Sequence, residues 1–215
     1  ACPFCGTSAV VEAPAAENVV RPEGLLEFRI SRDASMQSFR QWLSGLWFRP
    51  NDLKSVSHIS SMQGVYIPFW TFDALTQSHW TAEAGYYYYV NVEGRDSKGN
   101  RVVRQERPVR WEHAAGVVDH TFDDELVPGT TGVDMNLLRQ VEPFPTQEIV
   151  PYDTAFLSGH VVEQYQVALT EAAGDSEAQM RATLEQLCAR QVPGDTHRNL
   201  VIHPVFSGRT FKHVL

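Results

Sequence analysis

A chain of 215 residues, 43% hydrophobic and 20% charged, has the composition of ordinary globular protein and is long enough to bury a core as one large domain or two small ones. Its 26 acidic and 18 basic side chains give a net charge of −8, which argues against nonspecific nucleic-acid binding, because that requires a basic surface to displace counterions. No run of about 18 apolar residues suggests a transmembrane segment, and three cysteines do not make a disulfide framework, so a reducing, cytoplasmic compartment fits best.

The chain opens on Cys2-Pro3-Phe4-Cys5-Gly6. A C-x-x-C turn followed by glycine aims two thiolates at one point and has the shape of a zinc knuckle. A structural zinc needs four ligands, and this turn supplies two. The remaining cysteine, Cys188, is far away in the sequence. A zinc-ribbon half-site is preferred over a redox pair, since no strand precedes the motif and no helix clearly follows it, and over a fortuitous pair. Residues 1–17 therefore read as a partial ribbon and linker, and residues 18–215 as an α+β domain.

Past short extended pieces up to Ile30, Asp33 is placed as a helix N-cap, with Met36, Phe39, Leu43, Leu46 and Trp47 at helical spacing. Pro50 stops that helix. Asn51 starts another, which Gly64 closes. The stretch GVYIPFWTFDA at 64–74 is apolar on both faces, as expected of a strand covered on both sides in the middle of a sheet. Pro68 cannot donate to a ladder and predicts a bulge or local opening. Residues 79–83 read as a partner strand, 85–93 as another, and 96–100 as a hairpin turn leading into Arg101–Trp111 and then 114–122. Together these predict an antiparallel β-meander from Val65 to Phe122, with helices packed on it.

His120 with Asp123, Asp124 and Glu125 offers donors for a divalent cation, although neighbours along a strand point opposite ways, and a solvated turn or a cap explains the acids more simply. The loop 144–153 drapes over the sheet, 160–169 alternates as a strand, and 175–190 is a helix whose buried stripe holds Met180, Leu184, Leu187 and Cys188. Cys188 thus reads as a small core residue. Two strands end the chain. No phosphate-binding loop, nucleophile elbow, dinucleotide fingerprint or paired-histidine zinc motif occurs.

CPFCG at 2–6, FRQWLSGLWFRPNDLK at 39–54, GVYIPFWTFDA at 64–74, FDDELVP at 122–128, VPYD at 150–153, VVEQYQV at 161–167 and TFKHVL at 210–215, taken together and in this order, resemble a bacterial family of zinc-ribbon proteins. Its members often carry names such as primosomal protein N′ (replication factor Y)-like helicase or RNA polymerase zinc-ribbon subunit. The resemblance implies that Cys2 and Cys5 are zinc ligands, completed by an upstream cysteine pair, and that this chain lacks both ends of the family. It also implies a non-catalytic adaptor with protein partners, acting at the cytoplasmic membrane face in a stress-related assembly. The helicase name finds no ATPase motif here. The alternative reading is a nucleic-acid-binding accessory protein of replication or transcription. Exposed aromatic residues beside a basic stripe on the Arg101–Arg110 strand would favour that alternative. A third class, an enzyme built on His120, Asp123 and Asp124, requires a pocket that joins those side chains.

Overall fold

The structure is a computed structural model and describes residues 20–45, 63–95 and 97–215. In chain order the elements are β1 (Gly24–Leu25), α1 (Arg32–Gly45), β2 (Val65–Tyr66), β3 (Phe69–Tyr87), β4 (Val90–Arg95), β5 (Arg101–Glu106), β6 (Val109–Pro128), α2 (Met135–Val141), β7 (Val150–Pro151), β8 (Val161–Val162), α3 (Leu169–Gln191) and β9 (Thr196–Val214). The chain forms two compact units. The first takes the described residues up to Thr71 with Leu126–Ala172 and Phe211–Leu215, and the second takes Phe72–Glu125 and Ala173–Thr210.

The fold differs from the expected antiparallel meander. Five strands pair in the order β6-β3-β9-β1-β7, and β1 runs parallel to β9 but antiparallel to β7, so the sheet is mixed. Strand dominates, and three α-helices occur among the described residues. In this sheet sequence neighbours do not pair in succession, because the last strand of the chain lies between β3 and β1. The expected strands at 64–74 and 79–83 are one continuous β3. Buried and exposed positions alternate without interruption from Asp73 to Ala84, and no glycine or proline lies between Phe69 and Gly85 to break the period. The expected hairpin about residues 96–100 does form, as β4–β5, but as a sheet of its own, while residues 85–87 end β3 and 109–111 begin β6.

Pro68 does interrupt the ladder. β2 ends at Tyr66 and pairs with β8, while β3 begins at Phe69 in the larger sheet. The Pro68 carbonyl accepts the Gly129 amide at 2.7 Å. Beyond the break, Phe69, Trp70, Thr71 and Phe72 are all buried, as a strand covered on both faces requires. In the second unit β3 is antiparallel to β6, because contacts ascend one strand as they descend the other: Asp73 with Asp124, Thr76 with His120 and Gln77 with Asp119. Asp73 with Thr210 and Leu75 with Ser207 show the same for β3 and β9. Helix α3 buries Met180, Leu184 and Cys188, and Cys188 packs with Trp80, Ala82 and Val118, where the sequence placed it.

Helix α1 turns Leu43 inward, with Met36 and Phe39 half-buried, matching the expected face. Its first turn is capped by Ser31, whose Oγ accepts the Ala34 amide at 3.2 Å, rather than by Asp33. The second expected helix, from Asn51, lies outside the described residues, as do Cys2 and Cys5. The predicted strand at 160–169 is limited to β8, because the Gln166 and Val167 amides both turn to the Gly129 carbonyl instead of a ladder.

Candidate functional site

The first unit holds an apolar cleft of about 440 Å³. One wall is the extended segment after β1, where Leu26, Phe28 and Ile30 alternate with Glu27 and Arg29. The Leu26 amide bonds the Leu215 carbonyl at 2.8 Å, which fixes this segment beside the end of β9. Phe69 forms part of the floor and meets Phe144 edge-on at 5.4 Å between ring centroids. Phe144 and Ile149 come from the loop that the sequence placed over the sheet. Arg29 and Glu148 pair at 2.8 Å on the rim. Phe28 is 46% exposed and Ile30 64%, so the cleft presents unburied apolar surface. Phe28 is nonetheless held, stacking on His160 at 4.4 Å and meeting Tyr66 edge-on at 4.9 Å. Burial raises the Tyr66 hydroxyl above its usual pKa, and its bond to the Phe28 backbone partly offsets this.

A polar clamp in the same unit holds the segment entering at Val20. The Tyr165 hydroxyl accepts the Val20 amide at 3.2 Å, and His213 Nδ1 lies 2.8 Å from the Val20 carbonyl. A carbonyl only accepts, so Nδ1 carries the proton and Nε2 is bare. Nε2 is buried with no partner among the described residues. His213 sits 4.9 Å from the Trp70 ring and 5.3 Å from that of Tyr165. Burial holds the imidazole below its usual pKa, against smaller opposing effects from the Val20 bond and the Glu23 charge. Trp70, fully buried, donates its indole N–H to the Val167 carbonyl at 3.0 Å.

In the second unit, Asp73, Asp123 and Asp124 each place an oxygen within 4.8 Å of the others. The obstacle foreseen from strand alternation is removed locally. Asp124 has φ +52°, and the buried positions shift parity between Phe122 and Val127, as at a β-bulge. Asp73 braces that bulge, accepting the Asp124 amide at 2.8 Å through Oδ1 and the Thr210 hydroxyl at 2.7 Å through Oδ2. Asp73 thus has a structural role. His120 lines a separate open depression with Leu75, Gln77, Asp119, Val205 and Ser207, which excludes Asp123 and Asp124. Burial raises the neighbouring Glu125 carboxyl above its ordinary pKa.

The second unit also carries the basic and aromatic residues singled out on the Arg101–Arg110 strand. The β4–β5 hairpin pairs Arg95 directly with Arg101 and Val92 with Arg104, and nearly every residue on it is exposed. At its base Tyr88 and Tyr89 are exposed, and the Arg107 guanidinium lies 4.1 Å over the Tyr87 ring. The Tyr87 amide is anchored at 2.8 Å to Asp195 Oδ2 in the turn between α3 and β9. The sequence reading missed the cleft because loops line most of it, although the alternation Leu26-Glu27-Phe28-Arg29-Ile30 was a usable signal.

Among the described residues no helix is long and apolar enough to cross a membrane. No protein-family model matches the chain, and no solved structure matches it. The chain is similar to the Bacillus subtilis (strain 168) protein named Uncharacterized protein YdjG, at 26% identity over 146 residues, 67% of this chain and 40% of the relative. The matched region thus spans well under half of that relative.

Proposed function

We propose that the protein is a non-catalytic binding module that seats apolar side chains of a protein partner in the cleft of the first unit. The supporting observation is the cleft itself: about 440 Å³, walled by Phe28, Ile30, Phe69 and Phe144, with its charged groups at the rim. A concave apolar site with few polar groups suits side-chain docking. On this reading Cys2 and Cys5 form half of a zinc site on an attached ribbon, completed by a second cysteine pair, and the module works as an adaptor at the cytoplasmic membrane face. Zinc stoichiometry, with Cys2→Ser and Cys5→Ser controls, tests the metal assignment separately.

The cleft is tested by photo-crosslinking in the native host. A photoreactive residue at Ile30 should trap a defined protein that the same probe at exposed Gln37 of α1 does not. Purified, that protein should bind the unmodified chain with 1:1 stoichiometry and lose affinity at least tenfold with Ile30→Asp. Equal trapping from both positions, or binding indifferent to Ile30→Asp, would remove the proposal.

A further inference from the structure

The arginine-rich hairpin of the second unit supports an inference independent of the cleft. Arg95, Lys98, Arg101 and Arg104 on the hairpin, with Arg107 and Arg110 just after it, are six of the 18 basic residues of the chain, and residues 90–110 contain three acids, Glu93, Asp96 and Glu106, a local surplus of three positive charges. The net charge of −8 therefore conceals a locally basic stretch. Screening at physiological salt confines each charge to roughly 8 Å, so the local field of the hairpin, rather than the sum over the chain, governs what approaches it.

The hairpin spends this charge against its own stability. Arg95 and Arg101 are cross-strand partners, and like charges directly opposite destabilise a ribbon. Neither forms an ion pair among the described residues. Val103 is 65% exposed, and a two-stranded ribbon of this kind has little core of its own. An anion between the two guanidiniums would relieve their repulsion. The aromatics at the base of the hairpin narrow the choice of anion. Tyr89 is 64% exposed, Tyr88 is exposed beside it, and Arg107 already lies 4.1 Å over the Tyr87 ring. Planar π surfaces at the base and guanidiniums at the tip, about 17 Å apart along the ribbon, match an extended ligand that alternates phosphates with planar bases. An acidic peptide would use the arginines and leave the tyrosine faces idle.

We propose that the β4–β5 hairpin and its tyrosine base form a binding arm for single-stranded nucleic acid, with Arg95, Arg101 and Arg107 meeting phosphates and Tyr88 and Tyr89 stacking on bases. Fluorescence anisotropy with labelled oligothymidylate tests this on the whole chain. Three phosphate contacts predict an affinity that falls roughly 20-fold between about 50 and 200 mM salt. The double variant Arg95→Ala/Arg101→Ala should weaken binding and flatten the salt slope by roughly 1.4, with the thermal midpoint held as a control for folding. Tyr89→Ala should weaken binding about fivefold or more while leaving the slope unchanged. No salt-dependent binding at about 50 mM, or binding untouched by the double arginine variant, would overturn the proposal. So would polyglutamate binding as tightly as the oligonucleotide with Tyr89→Ala silent, an outcome that would make the arm a contact for acidic protein.

Discussion

The cleft and the hairpin arm are built on opposite principles. In the unit that holds the cleft, backbone and side chains serve the core: Trp70 is fully buried and hydrogen-bonded, His213 and Tyr165 clamp Val20, and Phe28 on the cleft wall is stacked in place even though its edge meets solvent. On the arm, one strand simply faces another and the side chains point into water. Substitution at the cleft therefore mixes recognition with folding, whereas the arm should separate the two. The contrast can be tested from its strong end to its weak end.

The largest effect is expected at Trp70. Trp70→Ala removes a buried ring and leaves the Val167 carbonyl without its donor, and should lower stability by about 3–5 kcal/mol. Trp70→Phe keeps much of the volume but loses the hydrogen bond, at about 1–3 kcal/mol. Urea denaturation measures both. A loss below about 1 kcal/mol for Trp70→Ala would mean that the core around the clamp does not hold the first unit together.

Next is Gly24, where β1 passes close to β7. A Cβ there would collide with Ile149 Cγ2 and lie 3.0 Å from the Val150 carbonyl oxygen. Gly24→Ala should lower stability by about 1–3 kcal/mol through overpacking. Because Ile149 also lines the cleft, the same change should weaken binding there. Stability lost with binding intact would show that Ile149 retreats away from the cleft.

His213 gives a pH-dependent effect. Its folded pKa is lowered by burial, so the native state resists the proton that the unfolded chain accepts near pH 6.5. Between that value and the lower folded value the unfolded state binds more protons, so stability must fall as pH drops. Above pH 6.5 both states are neutral and the contribution is flat. Denaturation midpoints of the native chain and His213→Phe, measured from pH 7.5 to 5, should differ in slope below about pH 6.5. Identical slopes would show that His213 is not the responsible group.

Parts of this arrangement were legible in the sequence, and they were the local parts. Apolar residues on both faces of 69–72 required a strand covered on both sides, and helical spacing placed Cys188 beside Leu184 in the core. Pro68 marked where one strand gives way to another. The mixed sheet was not legible, because it depends on Gly24 pairing with Val214 across almost the whole chain, and no periodicity specifies a partner at that distance. The bulge at Asp124 was hidden for a related reason: an alternation rule assumes an unbroken pleat, and the left-handed residue breaks it. The arm was visible as a basic stripe, but the total charge directed attention away from it. The cleft was visible only as a short alternation at 26–30, and its opposite wall comes from a loop.

The smallest expected effect is the most discriminating for the contrast itself. Arg101 faces Arg95 across the hairpin, and neither charge is paired among the described residues. If the arm does not serve the fold, Arg101→Ala should leave stability within about 0.5 kcal/mol of the parent. If the cross-strand repulsion is real, the sign should be a slight gain, largest at low salt and fading as the ionic strength rises past about 0.15 M. Arg101→Glu should extend the same trend by converting a repulsive pair into an attractive one, while inverting the charge at the proposed phosphate contact. A stabilised hairpin that no longer binds oligothymidylate would show arginines placed at the expense of local stability for an external anion. A clear loss of stability in both variants would instead mean that Arg101 supports the fold, and the distinction between a core-dependent cleft and a free arm would fail.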